Sequence, residues 1–312
     1  MLALAGCAGR DARPHQPARG PLAPGDHDRL VVHAGRERSF ILHVPQRARE
    51  PAPLVLAFHG GGGNAEGQQR YSRLDGVAER EGFVTVYPDG SGGLGRRLLT
   101  WNAGFCCGPA AREGVDDVGF VRALVDEVAR LVSIDRRRVY ATGLSNGAMM
   151  AYRLAADAPD LVAAIAPVAG ANAVSPKPGA PPVAVLHVHS VDDPRALYAG
   201  GLGPPFPLTR HRVQHPSAEQ VVGTWARALG CEAEPRAGAP RAGVGPDAGH
   251  TAARVEWSRC ANGSAVELLR LTGAGHVWPG GQRDYLVRWL GPGTGVVDAN
   301  EELWRFFSRF SR

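Results

Sequence analysis

Lysine is nearly absent from this chain. Lys177 is the single lysine among 35 basic residues, so arginine carries almost all of the positive charge behind a formal net of +5. The arginines are scattered, and Arg136-Arg137-Arg138 is their longest run. That pattern is a compositional bias; it lacks the clustered stripe that tracks a phosphate backbone, which excludes nucleic acid as a partner. No run of about 18 apolar residues occurs, so no helix is expected to cross a bilayer. His-Glu-x-x-His is missing, and the 11 histidines and five cysteines lack ligand spacing, so no metal site is expected. The glycine run at 60–63 has no lysine behind it, which excludes a P-loop. No internal repeat is visible. What remains is 312 residues, 44% hydrophobic and 21% charged, the composition of a globular domain large enough to bury a sizeable core.

The stretch around which the rest is organised is residues 138–152. It starts as a short apolar β-type run, passes through Gly143-Leu144-Ser145-Asn146-Gly147, and continues in helix formers. A strand-to-helix turn this tight forces its central residue into strained backbone and leaves no room for side chains at the flanking positions. Glycine at 143 and 147 meets that demand, and the turn would present Ser145 Oγ to a base. The spacing alone occurs by chance in ordinary glycine turns; its setting between strand and helix makes Ser145 the candidate nucleophile.

The rest of the chain reads as strands alternating with helices. Strands are expected at 30–33, 39–44, 54–58, 83–87, 139–142, 161–168, 183–188, 252–257 and 266–271. Helices are expected at 70–81, at 118–131 behind Asp116 or Asp117, at 148–155, at 217–229, and from Asp298 with Glu301 placed for a capping box. This order predicts an α/β class: a mostly parallel sheet with helices on both faces and an antiparallel amino-terminal edge. Residues 91–115 read as a long loop.

A serine needs a base, and the base an orienting acid. Asp192 and Asp193 follow the buried run 183–188, and either could be the acid. Of the histidines further on, His211 and His215 lie in a polar segment and His250 follows a glycine- and proline-rich stretch at 237–249. His276 follows the strand 266–271 on a glycine turn, which makes it the candidate base. His59, His187 and His189 precede the acid and read as supporting residues. The glycines after the run 54–58 read as an oxyanion loop offering backbone N–H groups. Trp101 and Trp278 are candidates for an apolar substrate wall, with core packing as the alternative.

Together these motifs resemble the polyhydroxybutyrate depolymerase and feruloyl-esterase-like branch of the α/β-hydrolases, which includes mycobacterial lipoprotein esterases. The residues that carry the resemblance are His59 to Asn64, Trp101-Asn102, Cys106-Cys107-Gly108, Val115 to Val118, Gly143 to Gly147, and Gly275-His276-Val277-Trp278-Pro279-Gly280-Gly281. It extends over roughly residues 30–310 and implies an α/β-hydrolase fold, a Ser145–Asp193–His276 triad and an oxyanion hole from Gly61 and Asn146. It also implies cofactor-free hydrolysis of small or oligomeric hydroxyalkanoate, feruloyl or acetyl esters. The family usually has His-Gly-Thr-x-Asp-Pro at the acid; His189-Ser190-Val191-Asp192-Asp193-Pro194 departs from it at 190 and 191. Aligning the Asp-Pro step selects Asp193 and leaves Asp192 open. The competing readings are a non-catalytic lipoprotein using the fold as a scaffold, and a peptidase or thioesterase.

Residues 1–28 read as a truncated leader with a disordered linker, and 29–312 as the catalytic domain. Leu4-Ala5-Gly6-Cys7 matches a bacterial lipobox, whose cysteine is lipidated. Too little precedes it for a whole signal peptide, so the match implies a start upstream of Met1 or is chance. Export with Cys7 as lipid anchor is the expectation. Setting Cys7 apart leaves four cysteines. Adjacent Cys106 and Cys107 are poor partners for each other, and a disulfide is expected between Cys231 and Cys260, closing a segment with little apolar content.

Overall fold

The computed structural model describes residues 22–93, 95–206 and 210–312. Cys7 and the rest of its lipobox therefore lie outside the described residues. β1 (Gly25–His33) begins inside the stretch assigned to the leader and pairs antiparallel with β2 (Arg36–Val44). Burial alternates along β1, as it does in an edge strand with one covered face. β3 (Ala52–Phe58) is buried at every position and leads into the glycine loop.

Then come α1 (Ala65–Ser72), α2 (Asp75–Glu81) and β4 (Val84–Pro88). The helix expected at 70–81 is thus two helices, starting earlier. Arg73 takes a left-handed conformation (φ 57°) and closes α1 by donating its N–H to Gln69 O. A non-glycine residue in that role leaves no mark in the sequence. The loop expected at 91–115 holds a short helix, α3 (Gly108–Arg112). α4 (Asp117–Leu131) starts where Asp116 accepts the Gly119 N–H, which settles the cap. β5 (Ile134–Leu144), α5 (Asn146–Asp157), β6 (Ala164–Val168) and β7 (Ala184–Ser190) follow.

Two short strands, β8 (Gly201–Leu202) and β9 (Gln214–His215), form a separate hairpin before α6 (Ala218–Ala228). β10 (Arg236–Ala237) and β11 (Arg241–Ala242) lie in and beside the low-complexity stretch and both pair with β12 (Thr251–Trp257). β13 (Val266–Thr272), α7 (Val287–Leu290) and α8 (Ala299–Phe307) complete the chain. Asp298 caps α8 through the Asn300 N–H; Glu301 turns outward to Arg80 and does not close the expected capping box.

The main sheet runs β1-β2-β4-β3-β5-β6-β7-β13-β12-β10. From β4 to β13 every neighbouring pair is parallel; the pairs at both edges are antiparallel. One face packs Phe120, Leu124, Tyr152 and Trp225 from α4, α5 and α6. The other packs Tyr71, Val77, Leu303 and Phe307 from α1, α2 and α8. Each such side chain contributes about 1.5–3 kcal/mol by leaving water. Burial on both faces fixes the parallel strands rigidly, and their carboxyl ends open on one side, where loops can be held still.

Candidate active site

Four of those carboxyl ends converge. β3 delivers His59 and the glycine loop, β5 delivers Ser145, β7 delivers Asp193, and β13 delivers His276. Ligand and catalytic groups of open α/β sheets gather at this edge.

Ser145 has φ 57° and ψ −117°, strained backbone for a residue with a side chain. It is partly exposed, although every neighbour from Val139 to Leu144 and from Asn146 to Leu154, Arg153 apart, is buried. The flanking glycines are sterically required. A Cβ on Gly143 would stand 2.6 Å from the Gly147 carbonyl carbon and 2.7 Å from Phe58 O. One on Gly147 would collide with Phe58 O and lie 2.6 Å from His59 O.

The glycine loop is aimed at this turn. His59 Nε2 accepts the Gly90 N–H (2.9 Å), so its proton sits on Nδ1 and is donated to Gly60 O (2.8 Å). Gly60 O also accepts the Gly63 N–H at 3.0 Å, and Gly62 donates to Leu99 O at 2.8 Å. No backbone bond among the described residues uses the Gly61 N–H. Asn146 opens α5, where first-turn N–H groups are left free by helix geometry. An ideal Cβ on Gly61 would lie 3.6 Å from Asn146 Cβ, and one on Gly60 3.6 Å from Ser145 Cβ, so the glycine loop runs directly alongside the serine turn. Burial pushes the His59 pKa down to about 4, against smaller opposing effects of its bond to Gly60 and the charge of Asp89, so this support stays neutral.

The two adjacent aspartates divide the work. Asp193 Oδ2 accepts from His276 Nδ1 at 2.7 Å, and its Oδ1 accepts the N–H groups of Arg195 (2.7 Å) and Ala196 (2.9 Å). Burial pushes the Asp193 pKa up, but His276 and the hydrogen bonds from His189 and His276 outweigh it and hold the carboxyl below its usual range. Asp192 instead accepts the Gly273 N–H at 2.7 Å, pinning the start of the histidine turn. That turn is fixed again where His276 N–H reaches Leu290 O (2.6 Å) and Gly275 N–H reaches Pro292 O (2.9 Å).

The expected tryptophan wall is corrected. Trp101 is fully buried and its indole N–H donates to His59 O at 3.0 Å, beneath the glycine loop. Its backbone is clamped by Asn146, whose Oδ1 accepts the Trp101 N–H (2.7 Å) and whose Nδ2 donates to Trp101 O (3.1 Å). Trp278 is 2% exposed, and its indole donates to Asn300 Oδ1 at 2.9 Å. Both rings satisfy their one polar group inside the core, which is where buried tryptophans are stable. The motif residues near them are equally structural: Arg38 pairs with buried Asp117 at 2.8 Å, and Asp117 also accepts the Asn102 N–H at 2.8 Å.

Cys231 and Cys260 are disulfide-bonded, as expected. Cys106 and Cys107, expected to be poor partners, are bonded to each other. The loop doubles back here, with Cys107 N–H on Trp101 O at 3.1 Å, and both side chains are buried together against Ala103, Met149 and Val213.

Asp26, His43 and Asp75 bring their donor atoms within 4.8 Å of one another. His43 Nδ1 lies 2.6 Å from Asp26 Oδ1, while Asp75 accepts from Tyr87 Oη (2.7 Å) and Gln69 (2.9 Å). The group ties β1 and β2 to α2, near the amino end of β4 and on the opposite side of the sheet from Ser145.

Sequence reasoning gave His187 and His189 only a supporting place, set His215 aside in a polar segment and did not single out Tyr152. His189 bonds the same Asp193 oxygen as His276, at 3.2 Å. Tyr152 and His187 continue that bonding inward. His215 lies within the electrostatic reach of His276 and Asp193, and burial lowers its pKa to about 4. The available signal was two histidines at alternate positions of an otherwise apolar strand. A cavity of about 1140 Å³ opens between Gly62-Gly63 and residues 282–285, lined also by Arg70, Tyr71 and Arg97; Ser145, Asp193 and His276 do not line it.

Sheet order, flanking helices and the convergence of these loops define an α/β-hydrolase fold. An acetyl xylan esterase from Aspergillus awamori shares it, with a TM-score of 0.56 at 17% identity over 87% of this chain and 94% of that one. The chain belongs to the esterase PHB depolymerase family, whose signature matches residues 38–203. NocK of Nocardia uniformis subsp. tsuyamanensis, which bears an esterase's name, is 32% identical over 91% of this chain and 89% of its own length. Feruloyl esterase B of Piromyces equi is 29% identical over 72% of this chain, which spans 39% of that enzyme's length. The protein is a carboxylic ester hydrolase.

Proposed function

We propose that Ser145, His276 and Asp193 are the nucleophile, base and acid of a serine esterase working through an acyl-enzyme. The observation that carries this reading is the 2.7 Å bond from His276 Nδ1 to Asp193, at the sheet edge where the strained Ser145 is presented. With Nδ1–H donated to Asp193, His276 Nε2 holds a lone pair and can take the Ser145 proton. Ser145 Oγ then attacks the ester carbonyl, and the N–H groups of Gly61 and Asn146 hold the oxyanion. His276 returns the proton to the departing alcohol. Water repeats the sequence and releases the acid. Acyl transfer between oxygens moves no net electrons, so no cofactor is called for.

The cavity beside the glycine loop is the proposed seat of the substrate's bulk. Its tyrosines, its arginines and its size suit an oligomeric or ring-bearing ester better than a simple acetate. Hydroxyalkanoate oligomers and feruloyl or acetylated-sugar esters are the proposed substrate classes, in keeping with the names of the relatives. Residues 29–312 are proposed as one catalytic domain, which β1 extends back to Gly25. Export is the proposed setting, since two disulfides form stably where the environment is oxidising; Cys7 is the proposed lipid site. The test is a panel of p-nitrophenyl esters, methyl ferulate, acetylated xylan and hydroxybutyrate oligomers, run with wild type and Ser145→Ala. Turnover of at least one ester, lost in the variant by about 10³-fold or more, supports the reading; equal turnover by both contradicts it.

A further inference from the structure

Asp193 is not the end of the polar chain that begins at His276. Its Oδ2 also faces His189 Nε2 at 3.2 Å, and the same Nε2 lies 2.8 Å from Ala196 O. His189 Nδ1 lies 3.0 Å from His187 Nε2, and His187 Nδ1 lies 3.0 Å from Tyr152 Oη. His187 and His189 sit two apart on β7, so they share one face of the sheet, the face against which α5 packs Tyr152. All of these side chains are buried: Tyr152 and His187 fully, His189 to within 2%. Two histidines in the interior of a strand are costly unless every nitrogen is paired.

Only one set of proton positions satisfies the whole chain with neutral rings. His189 Nε2 faces two acceptors, a carboxylate and a carbonyl, so it must carry a hydrogen. A neutral His189 then has a bare Nδ1, which can only accept, so His187 must donate from Nε2. That leaves His187 Nδ1 bare, and the Tyr152 hydroxyl donates to it. The donors therefore all point toward Asp193. The reverse arrangement would need a second proton on His189 and would leave the Tyr152 hydrogen without an acceptor among the described residues. Burial first, and the nearby His189 second, hold the His187 pKa well below its ordinary value, in keeping with a neutral ring.

We infer that Tyr152, His187 and His189 form a positioning relay that locks the Asp193 carboxylate in place from behind, through a fixed series of Nε2–H tautomers, so that its other approach is held for His276. Tyr152 lies on α5, the helix that Ser145 caps, so the relay joins the nucleophile's helix to the acid's loop through β7. This rests on the triad reading above.

The direct test is a histidine ¹⁵N spectrum of the resting enzyme, assigned with single-histidine variants. His187 and His189 should both be neutral, protonated at Nε2 and bare at Nδ1; Nδ1 protonation of either overturns the inference. Kinetics give the second arm. His189→Leu should lower kcat about 10- to 100-fold with KM within about twofold. His189→Gln, whose amide can reach toward Asp193, should recover most of the loss. Tyr152→Phe, which removes one hydroxyl and keeps the ring, should lower kcat several-fold without unfolding the protein. A folded His189→Leu or Tyr152→Phe enzyme with unchanged kcat overturns the relay. Ser145→Ala is measured alongside. Turnover retained there overturns the triad reading and the relay's role with it; turnover lost there but kept in His189→Leu overturns the relay alone.

Discussion

Asp192 and Asp193 are neighbours in sequence but hold opposite ends of one device: Asp193 bonds the His276 ring, and Asp192 bonds the Gly273 N–H three residues before it. One carboxylate sets the imidazole and the other sets the turn that carries it. Asp193→Asn should therefore lower kcat by roughly 10²–10⁴-fold, because an amide can offer His276 the wrong hydrogen-bonding partner and tautomer. Asp192→Asn keeps an oxygen for Gly273 and should cost less than about tenfold. Steady-state kinetics on one p-nitrophenyl ester compares the two, and the reverse order would move the acid's role to Asp192.

Gly147→Ala should destabilise the fold by about 1–3 kcal/mol or more, since its Cβ would press on the Phe58 and His59 carbonyls, which lie at the buried end of β3 and cannot retreat. Gly76→Ala is the control, because a Cβ there meets nothing within 4 Å. Urea unfolding measures both, and equal midpoints would contradict the steric account of the turn.

Stability should fall on acidification below about pH 6.5. His59 is buried with its pKa lowered to about 4, so between those values the unfolded chain binds a proton that the folded one refuses. The native state therefore loses ground as pH drops through that window, by at most about 1.4 kcal/mol per pH unit for this group. Urea midpoints from pH 4.5 to 7 give the slope. His59→Asn should flatten it, and an unchanged slope in that variant would contradict the assignment.

Opening the Cys231–Cys260 bond should cost about 2–4 kcal/mol, because it closes a 29-residue separation and its loss frees that segment in the unfolded chain. The paired Cys→Ser variant should show a lower Tm by calorimetry. An unchanged Tm would mean that the pairing of β10 and β11 with β12 already holds the segment.

Much of this was legible because steric demands write themselves into sequence. Gly143 and Gly147 are there since nothing larger fits, and the all-apolar run of β3 marks a strand covered on both faces. The placement of Ser145, Asp193 and His276 just past the ends of β5, β7 and β13 followed from reading those strands in order. What stayed hidden depends on three-dimensional pairing. Arg73 ends α1 in a left-handed conformation that an arginine does not advertise. The tryptophans looked like a substrate wall because an aromatic near a catalytic motif reads the same whether its ring faces inward or outward; the hydrogen bonds of Trp101 to His59 and of Trp278 to Asn300 turn them inward. Cys106 and Cys107 are paired by the folding-back of their loop.

The central claim is that Ser145 becomes acylated during turnover. Its most direct test is covalent capture with a p-nitrophenyl phosphonate, followed by peptide mapping in a mass spectrometer. The account predicts one adduct per chain, on the peptide containing Ser145, formed as esterase activity disappears and absent from Ser145→Ala. An adduct on another residue, or full loss of activity with Ser145 unmodified, would contradict it.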